Sequence, residues 1–245
     1  MRGIILAGGT GQRLDPLTRI TNKHLLPVYD RPMIYYAIEQ VAGAGLDRIM
    51  IVTGGNHAGE FLRLLGNGSR FGLRHLDYAY QDKAGGIAEA LGLAEFFAGG
   101  EPVAVLLGDN VFEFSIADAV ARFAADPRGA RIFLTEVDNP GAYGVAEMRG
   151  EKLVRIVEKP KDPPSKLVAT GLYCYDSRVF EMVKALKPSG RGELELTDVN
   201  NSYLQLGALR HERLVGYWAD CGESFETLLR ANNLVAERGA NKPLP

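Results

Sequence analysis

The stretch IILAGGTGQRLDPLT, residues 4–18, joins a short apolar run to a cluster of glycines. A strand that leads into such a cluster is typical of an α/β fold that binds an anion through backbone N–H groups. A dinucleotide-binding fingerprint would need a glycine at Leu14, and a P-loop would need lysine followed by serine or threonine where Gln12 and Arg13 stand. The stretch therefore predicts a phosphate site of another kind, with Arg13 beside it.

The composition is that of an ordinary globular protein. Of the 245 residues, 46% are hydrophobic and 24% are charged, and 28 Lys and Arg against 30 Asp and Glu give a net charge of −2. This balance does not favour binding to nucleic acid or to an anionic membrane. We expect no signal peptide and no membrane span, and predict a cytoplasmic protein. Cys174 and Cys221 are too few for a disulfide framework and too scattered for a zinc site, so we expect packed thiols.

Apolar and amphipathic segments alternate along the chain. Strands are predicted at residues 3–7, 49–52, 73–80, 103–107, 132–137, 144–148, 153–157, 169–175 and 208–217. Helices are predicted at residues 33–44, 57–65, 86–97, 115–125, 177–186, 196–206 and 224–238, followed by a frayed tail at residues 241–245. The β-α-β-α order of the first half predicts a doubly wound, mostly parallel α/β sheet. The strands at residues 144–148 and 153–157 are predicted to form a hairpin, which belongs to a lobe added by the second half.

Acidic residues follow two of the predicted strands, at the sheet edge where ligands of such folds bind. Asp109 comes directly after residues 103–107, and Asp220 lies near the end of a later strand. Two carboxylates at one edge could hold Mg²⁺, which prefers oxygen ligands, whereas a lone aspartate there more commonly caps a turn. Trp218, the single tryptophan, is by default a core residue and otherwise could wall a sugar pocket.

The tripeptide Glu158-Lys159-Pro160 ends the second strand of the predicted hairpin. Lys159 could bind a phosphate, and Glu158 could accept hydrogen bonds from hydroxyl groups. Neighbouring strand residues point to opposite faces unless the proline twists the end, so the tripeptide alone favours a solvated charge pair.

The order of these groups resembles the sugar nucleotidyltransferase family. The family signature of a glycine loop, an arginine, Pro-x-Thr and Lys-x-x-x-Pro is matched by residues 8–11, Arg13, residues 16–18 and residues 23–27. Over nearly the whole chain, further segments are similar to those of the glucose-1-phosphate thymidylyltransferase branch: KHLLPVYDRPMIYY (23–36), LGDN (107–110), YGVAE (143–147), VEKP (157–160), TGLYCYD (170–176), RGELELTDVN (191–200) and WADCG (218–222).

The resemblance implies a Mg²⁺-dependent enzyme that joins a nucleoside triphosphate to a sugar 1-phosphate, with dTTP and glucose 1-phosphate favoured. The sugar phosphate would attack the α-phosphorus in line, and pyrophosphate would leave. It implies catalytic roles for Arg13, Lys23, Asp109 and Asp220, with the two aspartates as metal ligands. It implies nucleotide contacts at Leu6, Gly8, Gly9, Thr10, Gly11, Arg13, Gln81 and Gly86. It implies sugar-phosphate contacts at Asn110, Tyr143, Gly144, Glu158, Lys159, Ala169, Arg191 and Trp218.

The same resemblance implies a single domain over residues 1–245 with a Rossmann-like sheet. A nucleotide-binding half would span residues 1 to about 137. A sugar-phosphate-binding half with the small hairpin lobe would span residues of about 138 to 223, and the C-terminal helix and tail would follow at residues 224–245. Longer family members carry further helices, so the chain resembles the short form and no regulatory nucleotide site is expected. Assembly into a homo-oligomer is left open.

The expected base pocket departs from the family pattern. Gln81 offers a donor and an acceptor to a thymine or uracil edge. The family pattern continues with a proline and then Asp-Gly-Leu-Ala-Gln-Ala, where this chain has Ala84, Gly85, Ile87 and Glu89. A preference for UTP, or an enzyme that uses both dTTP and UTP, is therefore the alternative.

Two alternative functions come from other classes of protein. A non-catalytic regulator that binds nucleotide sugars would be expected to lose one of the four catalytic residues, and all four are present. A dinucleotide-dependent oxidoreductase would need an acidic residue after the second strand, where residues 52–55 read Val-Thr-Gly-Gly.

Overall fold

A nine-stranded sheet runs through the computed structural model, which describes residues 1–244. The strands are β1 (Arg2–Ala7), β2 (Pro27–Val28), β3 (Arg31–Pro32), β4 (Arg48–Gly54), β5 (His75–Gln81), β6 (Val103–Leu107), β7 (Asn110–Phe112), β8 (Ala130–Glu136), β9 (Gly144–Arg149), β10 (Lys152–Glu158), β11 (Leu167–Tyr175), β12 (Leu209–Arg213) and β13 (Trp218–Asp220). The helices are α1 (Met33–Gly43), α2 (Ala58–Leu65), α3 (Ile87–Gly92), α4 (Glu95–Ala98), α5 (Ala117–Ala125), α6 (Val179–Ala185), α7 (Leu196–Gln205) and α8 (Phe225–Arg238).

The sheet has a parallel half and a half of mixed direction. Strands β6, β1, β4 and β5 pair in parallel in that order. Strand β11 then joins antiparallel to β6 and also pairs with β8 and β9, while the predicted hairpin is formed by β9 and β10. The α/β fold predicted from the sequence is confirmed, and the first half supplies its parallel part.

Helices cover both faces of the sheet because successive residues of a strand point to opposite sides. Ile5 of β1 packs in one apolar cluster with Ile38 of α1 and Phe61 of α2. Its neighbour Ile4 packs in a second cluster with Leu91 of α3 and Tyr203 of α7. A strand buried on both faces reads as a continuous apolar run, which is why β1 and β6 were recognisable in the sequence.

A two-stranded ribbon lies outside the main sheet and is covered by the last helix. Strands β7 and β13 pair antiparallel, and Val111 and Ala219 from this ribbon pack against Ala231 and Val235 of α8. Ser224 caps α8 by accepting a hydrogen bond from the backbone N–H of Thr227.

The tail after α8 was expected to fray, and this prediction is wrong at residues 241 and 242. The backbone N–H of Asn241 donates to the carbonyl of Phe112 at 3.0 Å, and Lys242 forms an ion pair with the buried Glu113 at 3.0 Å. The tail is held because it binds the free edge of β7. Pro245 lies outside the described residues.

Two further predicted elements are divided in the structure. The single helix expected at residues 86–97 is the pair α3 and α4, and the strand expected at residues 208–217 ends at Arg213. Gly216 then turns the chain with a φ of 77° before β13 begins, so β12 and β13 belong to different sheets. Cys174 and Cys221 are buried free thiols, as expected. Across residues 1–244, no helix is both long enough and apolar enough to cross a membrane.

Candidate active site

A cleft with two compartments lies at the carboxyl ends of the parallel strands. Leu6, Gly8, Gly9, Thr10, Gln81, Gly86 and other residues line the first compartment, which lies over the loop after β1. Asn110, Tyr143, Gly144, Glu158, Lys159, Ala169, Arg191, Trp218 and Asp220 are among those lining the second. Lys23 and Asp109 line both compartments. Most residues predicted to bind the nucleotide therefore line the first compartment, and the residues predicted to bind the sugar phosphate line the second, with Lys23 and Asp109 between them.

The glycine loop after β1 is close to other side chains at each of its glycines. A Cβ atom at Gly8 would lie 2.5 Å from Oε1 of Gln81, and one at Gly9 would lie 3.2 Å from Cε of Lys23. Gly11 has a φ of 68°, and a Cβ there would lie 2.8 Å from Cγ2 of Thr18. Glycine is therefore needed for packing as well as for access of a ligand to the backbone. Gly11 lies against Thr18 and Lys23 and lines neither compartment.

Lys23 is fixed against Asp109 at the wall between the compartments. Its Nζ lies 2.5 Å from Oδ2 of Asp109, and both side chains are nearly buried. Burial disfavours the ammonium form, but the carboxylates of Asp109 and Asp220 outweigh it, and the pKa of Lys23 lies above its usual range. Burial also opposes ionisation of Asp109, yet the charge of Lys23 and the hydrogen bond from it hold the pKa of Asp109 well below its usual range.

His24 follows Lys23 and is kept neutral. Nδ1 of its ring lies 2.7 Å from Oδ1 of Asn22, which also accepts the backbone N–H of His24. Burial, followed by repulsion from Lys23, lowers the pKa of His24 to about 3. His24 lines the first compartment as an uncharged group, so the positive charge there comes from Lys23.

The ribbon of β7 and β13 brings the two predicted metal aspartates together. Its register pairs Asp220 with Asn110, so the side chain of Asp220 lies beside that of Asp109 although 111 positions separate them. Burial and the neighbouring charge of Asp109 both raise the pKa of Asp220 above its usual range. A Cβ atom at Gly222 would lie 2.5 Å from both Oδ2 of Asp109 and Nζ of Lys23, so a side chain there would displace this ion pair.

Asn110 is a buried connector beneath the second compartment. Its Oδ1 accepts hydrogen bonds from the backbone N–H of Gly171 at 2.9 Å and from Nε1 of Trp218 at 2.6 Å. Its Nδ2 donates to Oδ1 of Asp109 at 2.9 Å. Asn110 also lines the second compartment, and its amide nitrogen carries a second N–H group, so the contact with sugar hydroxyls suggested by the sequence stays a prediction.

Trp218 is a core residue that also lines the second compartment, and its contact with a sugar stays a prediction. It packs in the main apolar cluster and is only 9% exposed, yet it also lines the second compartment. Tyr143 meets it edge to face, with ring centroids 5.3 Å apart. The pair forms a rigid aromatic wall to the compartment.

Glu158 and Lys159 both line the second compartment although they are adjacent in sequence. Lys159 has a φ of 41°, a left-handed backbone conformation that turns the end of β10 and overrides the alternation of a strand. The hydroxyl of Thr197 donates to Oε2 of Glu158. Burial raises the pKa of Glu158 despite this hydrogen bond.

The exposed basic residues of the cleft are paired with carboxylates. Arg13 lies at the rim of the second compartment and forms an ion pair with Glu223. Arg191 forms ion pairs with Glu193 and with Glu195, the latter at 3.2 Å. Two strongly basic sites are therefore already compensated in the free protein, and an anionic ligand would compete with these carboxylates.

Several lining residues were not singled out from the sequence. Glu195 and Thr197 lie within the segment RGELELTDVN, and Glu223 directly follows WADCG. Their signal was proximity to the motifs. No sequence rule connected Glu223 with Arg13, since 210 positions separate them.

Comparison with known proteins finds relatives that match most of this chain and somewhat less of their own length. A family model described as nucleotidyl transferase matches residues 2–238. A glucose-1-phosphate thymidylyltransferase from Actinoplanes sp. is 45% identical over 226 residues, covering 91% of this chain and 74% of that protein. One from Neisseria meningitidis is 44% identical over 239 residues, covering 96% and 82%. A crystal structure from Bacillus anthracis, provisionally assigned as the same enzyme and complexed with sucrose, has a TM-score of 0.91 at 50% identity, covering 96% of this chain and 94% of that chain.

Proposed function

The chain belongs to the nucleotidyl transferase family, and from that premise we propose that it is a glucose-1-phosphate thymidylyltransferase. It joins dTTP to glucose 1-phosphate and releases pyrophosphate and dTDP-glucose. The observation that carries this proposal is the position of Lys23 and Asp109. Both line a wall between one compartment with a glycine loop and another with Lys159 and Arg191.

The reaction exchanges one phosphorus–oxygen bond for another. A phosphate oxygen of glucose 1-phosphate attacks the α-phosphorus, and the bond from that phosphorus to the bridging oxygen breaks. The electron pair leaves with pyrophosphate, and no proton transfer is required. Such a reaction depends on positioning two polyanions and neutralising their charge, which agrees with a site built from fixed basic groups.

In the first compartment, the loop of residues 8–10 would bind triphosphate oxygens through backbone N–H groups. Lys23 would neutralise charge at the transferring phosphoryl group, since it lies at the junction of the compartments. The base would occupy the space beside Gln81 and Gly86, which also line this compartment.

In the second compartment, Lys159 and Arg191 would bind the phosphate of glucose 1-phosphate. Arg191 would have to exchange its contact with Glu193 for the ligand, and Lys159 already faces the space from the turned end of β10. Glu158, held by Thr197, would accept hydrogen bonds from sugar hydroxyls. Asn110 would act indirectly, by fixing Asp109 and Trp218 around the sugar.

The residues present fit a divalent cation with oxygen ligands. Two carboxylates, Asp109 and Asp220, are held together in a poorly solvated place, and only Asp109 is neutralised by a lysine hydrogen bond. Within residues 1–244, no group of three or more His, Cys, Asp or Glu side chains is arranged to hold a metal alone. One or two carboxylates completed by substrate phosphates is the usual mode of Mg²⁺ binding. Asp109 and Asp220 would hold the cation, and its positive charge would offset the negative charge that develops on the phosphates during transfer.

A pyrophosphate-release assay tests the proposal. The purified chain is incubated with Mg²⁺ and with dTTP or UTP, each against glucose 1-phosphate and other sugar 1-phosphates. We expect release with dTTP and glucose 1-phosphate, with dTDP-glucose identified by mass. A clear preference for UTP would reassign the nucleotide, and no release with any pair would overturn the proposal.

The matched variants are Asp109→Asn and Asp118→Asn, which make the same chemical change at a cleft residue and at an exposed residue of α5. We expect the first to abolish turnover and the second to retain it. Near-normal Mg²⁺-dependent activity of Asp109→Asn would contradict the metal assignment.

A further inference from the structure

The side-chain amide of Gln81, which lines the first compartment, is held in one orientation. Its Nε2 donates to Oε2 of Glu89 at 2.6 Å and to the backbone carbonyl of Gly86 at 3.1 Å. Both partners are acceptors only, so the nitrogen must face them and the oxygen must face away. Oε1 therefore lies beside Gly8, within 2.5 Å of where a Cβ of that residue would stand. Gln81 is only 8% exposed, so water offers little compensation for a reversed amide.

Glu89 is itself fixed by its surroundings. It lies in the first turn of α3, and its Oε2 also accepts the backbone N–H of Gly85 at 3.1 Å. A Cβ atom at Gly85 would overlap the Glu89 carboxylate. The carboxylate can reach Gln81 in this way only because residue 85 has no side chain.

The orientation of Gln81 has a consequence for base recognition. An exposed carbonyl oxygen accepts a hydrogen bond from N3–H of thymine or uracil. Cytosine carries no hydrogen at N3, so its lone pair would face the lone pairs of Oε1. A reversed amide would present N–H groups to the base and favour cytosine instead.

We propose that Glu89 is a positioning residue that makes the enzyme selective for thymine and uracil over cytosine. It acts through Gln81: its carboxylate holds the amide nitrogen, so that only the amide oxygen faces the base. Gly85 supports this arrangement by leaving room for the carboxylate. The proposal rests on the function proposed above, because it requires that the base occupies the space beside Gln81.

The test measures kcat/KM for dUTP and for dCTP at saturating glucose 1-phosphate with Mg²⁺. These two substrates differ only at position 4 and N3 of the base, so their ratio cancels effects on the triphosphate and on the overall fold. Glu89→Met keeps the side-chain length and removes the acceptor, and should lower the dUTP-to-dCTP ratio about tenfold, the effect of one unmade buried hydrogen bond. Gly85→Ala should lower the ratio in the same direction by displacing the carboxylate.

Two variants serve as controls. Glu89→Gln retains an oxygen that can accept from Gln81 and should keep most of the selectivity. Glu95→Met makes the same change as Glu89→Met on the next helix, where Glu95 is paired with Lys184 at 2.6 Å, and should leave the ratio unchanged. Gln81→Ala should lower the ratio at least as much as Glu89→Met.

Two results would overturn the proposal. An unchanged ratio in Glu89→Met, whether kcat/KM is retained or falls equally with both nucleotides, would leave Glu89 with a structural role only. An unchanged ratio in Gln81→Ala would show that another group reads the base. A wild-type protein that releases no pyrophosphate with any nucleoside triphosphate would instead contradict the proposed function, so the two failures are distinguishable.

Discussion

Replacing Asn110 by alanine should destabilise the fold strongly, although the residue lines the cleft. The substitution removes the acceptor for Gly171 N–H and Trp218 Nε1–H and the donor to Asp109, at a position that is 1% exposed. An unsatisfied buried group costs roughly 1–3 kcal/mol, and Asp109 keeps its bond to Lys23. The N–H groups of Gly171 and Trp218 lose their acceptor and are counted fully, and the lost bond to Asp109 is counted in part. We therefore expect the free energy of unfolding to fall by about 3–5 kcal/mol.

Urea unfolding measured by tryptophan fluorescence gives this quantity directly. Trp218 is the only tryptophan of the chain and one of the affected partners, so its emission reports on the region that changes. Asn67→Ala is the control, because Asn67 is exposed and bonds only locally to Ser69, and it should cost about 1 kcal/mol or less.

A second variant, in β11, tests the same contact between Gly171 and Asn110. A Cβ atom at Gly171 would overlap the amide of Asn110, so Gly171→Ala should displace that amide and destabilise the fold in the same direction. If Asn110→Ala costs less than about 1 kcal/mol and mainly raises the KM for glucose 1-phosphate, the reasoning is refuted and the side chain contacts the sugar instead.

Three further predictions follow from the site and the fold. Lys159→Ala should raise the KM for glucose 1-phosphate about tenfold or more in initial-rate measurements, because it removes a charged donor, and should change the KM for dTTP little. Lys161→Ala, at an exposed position of the next loop, should alter neither KM. Asp220→Asn should lower kcat about a hundredfold or more. The same variant should raise the thermal unfolding midpoint measured with a chelator present, because the ionised carboxylate of Asp220 is unfavourable beside Asp109. A lowered midpoint would contradict this. Asp176 accepts two buried hydrogen bonds of 2.7 Å and pairs with an arginine, and these contacts hold its pKa below the usual range although burial opposes ionisation. Its stabilising contribution should therefore be complete above pH of about 4 and disappear as pH falls through the lower folded pKa, so urea unfolding of wild type and Asp176→Asn should differ most near neutral pH and converge in acid.

The parallel half of the fold was predictable because its signals are local. Strands β1 and β6 are buried on both faces and read as continuous apolar runs, and α8 carries its own serine cap and terminal glycine. The break between β12 and β13 was missed because both lie in one extended stretch. Only their partners distinguish them, since β12 pairs with β8 and β13 pairs with β7.

The tail shows the same limitation. Residues 241 and 242 are polar and follow a helix, which is the usual pattern of a frayed end. Their hydrogen bonds go to Phe112 and Glu113, far away in the sequence, and a pattern within a short window contains no information about such partners.

The sequence by itself determined the family, the order of the motifs and the chemical types available: a glycine loop, separate basic residues and two aspartates after strands. These follow from residues that are neighbours in the chain, where backbone geometry and apolar periodicity act directly. The tertiary structure decided which of these groups meet. Asp109 and Asp220 are adjacent because a ribbon register pairs distant strands, and Asn110 is held in place because two distant groups, Gly171 and Trp218, donate hydrogen bonds to it. Gly85 and Glu89, two separate departures in the sequence, act together on Gln81, since the Glu89 carboxylate that binds Gln81 occupies the space that a Cβ at residue 85 would need.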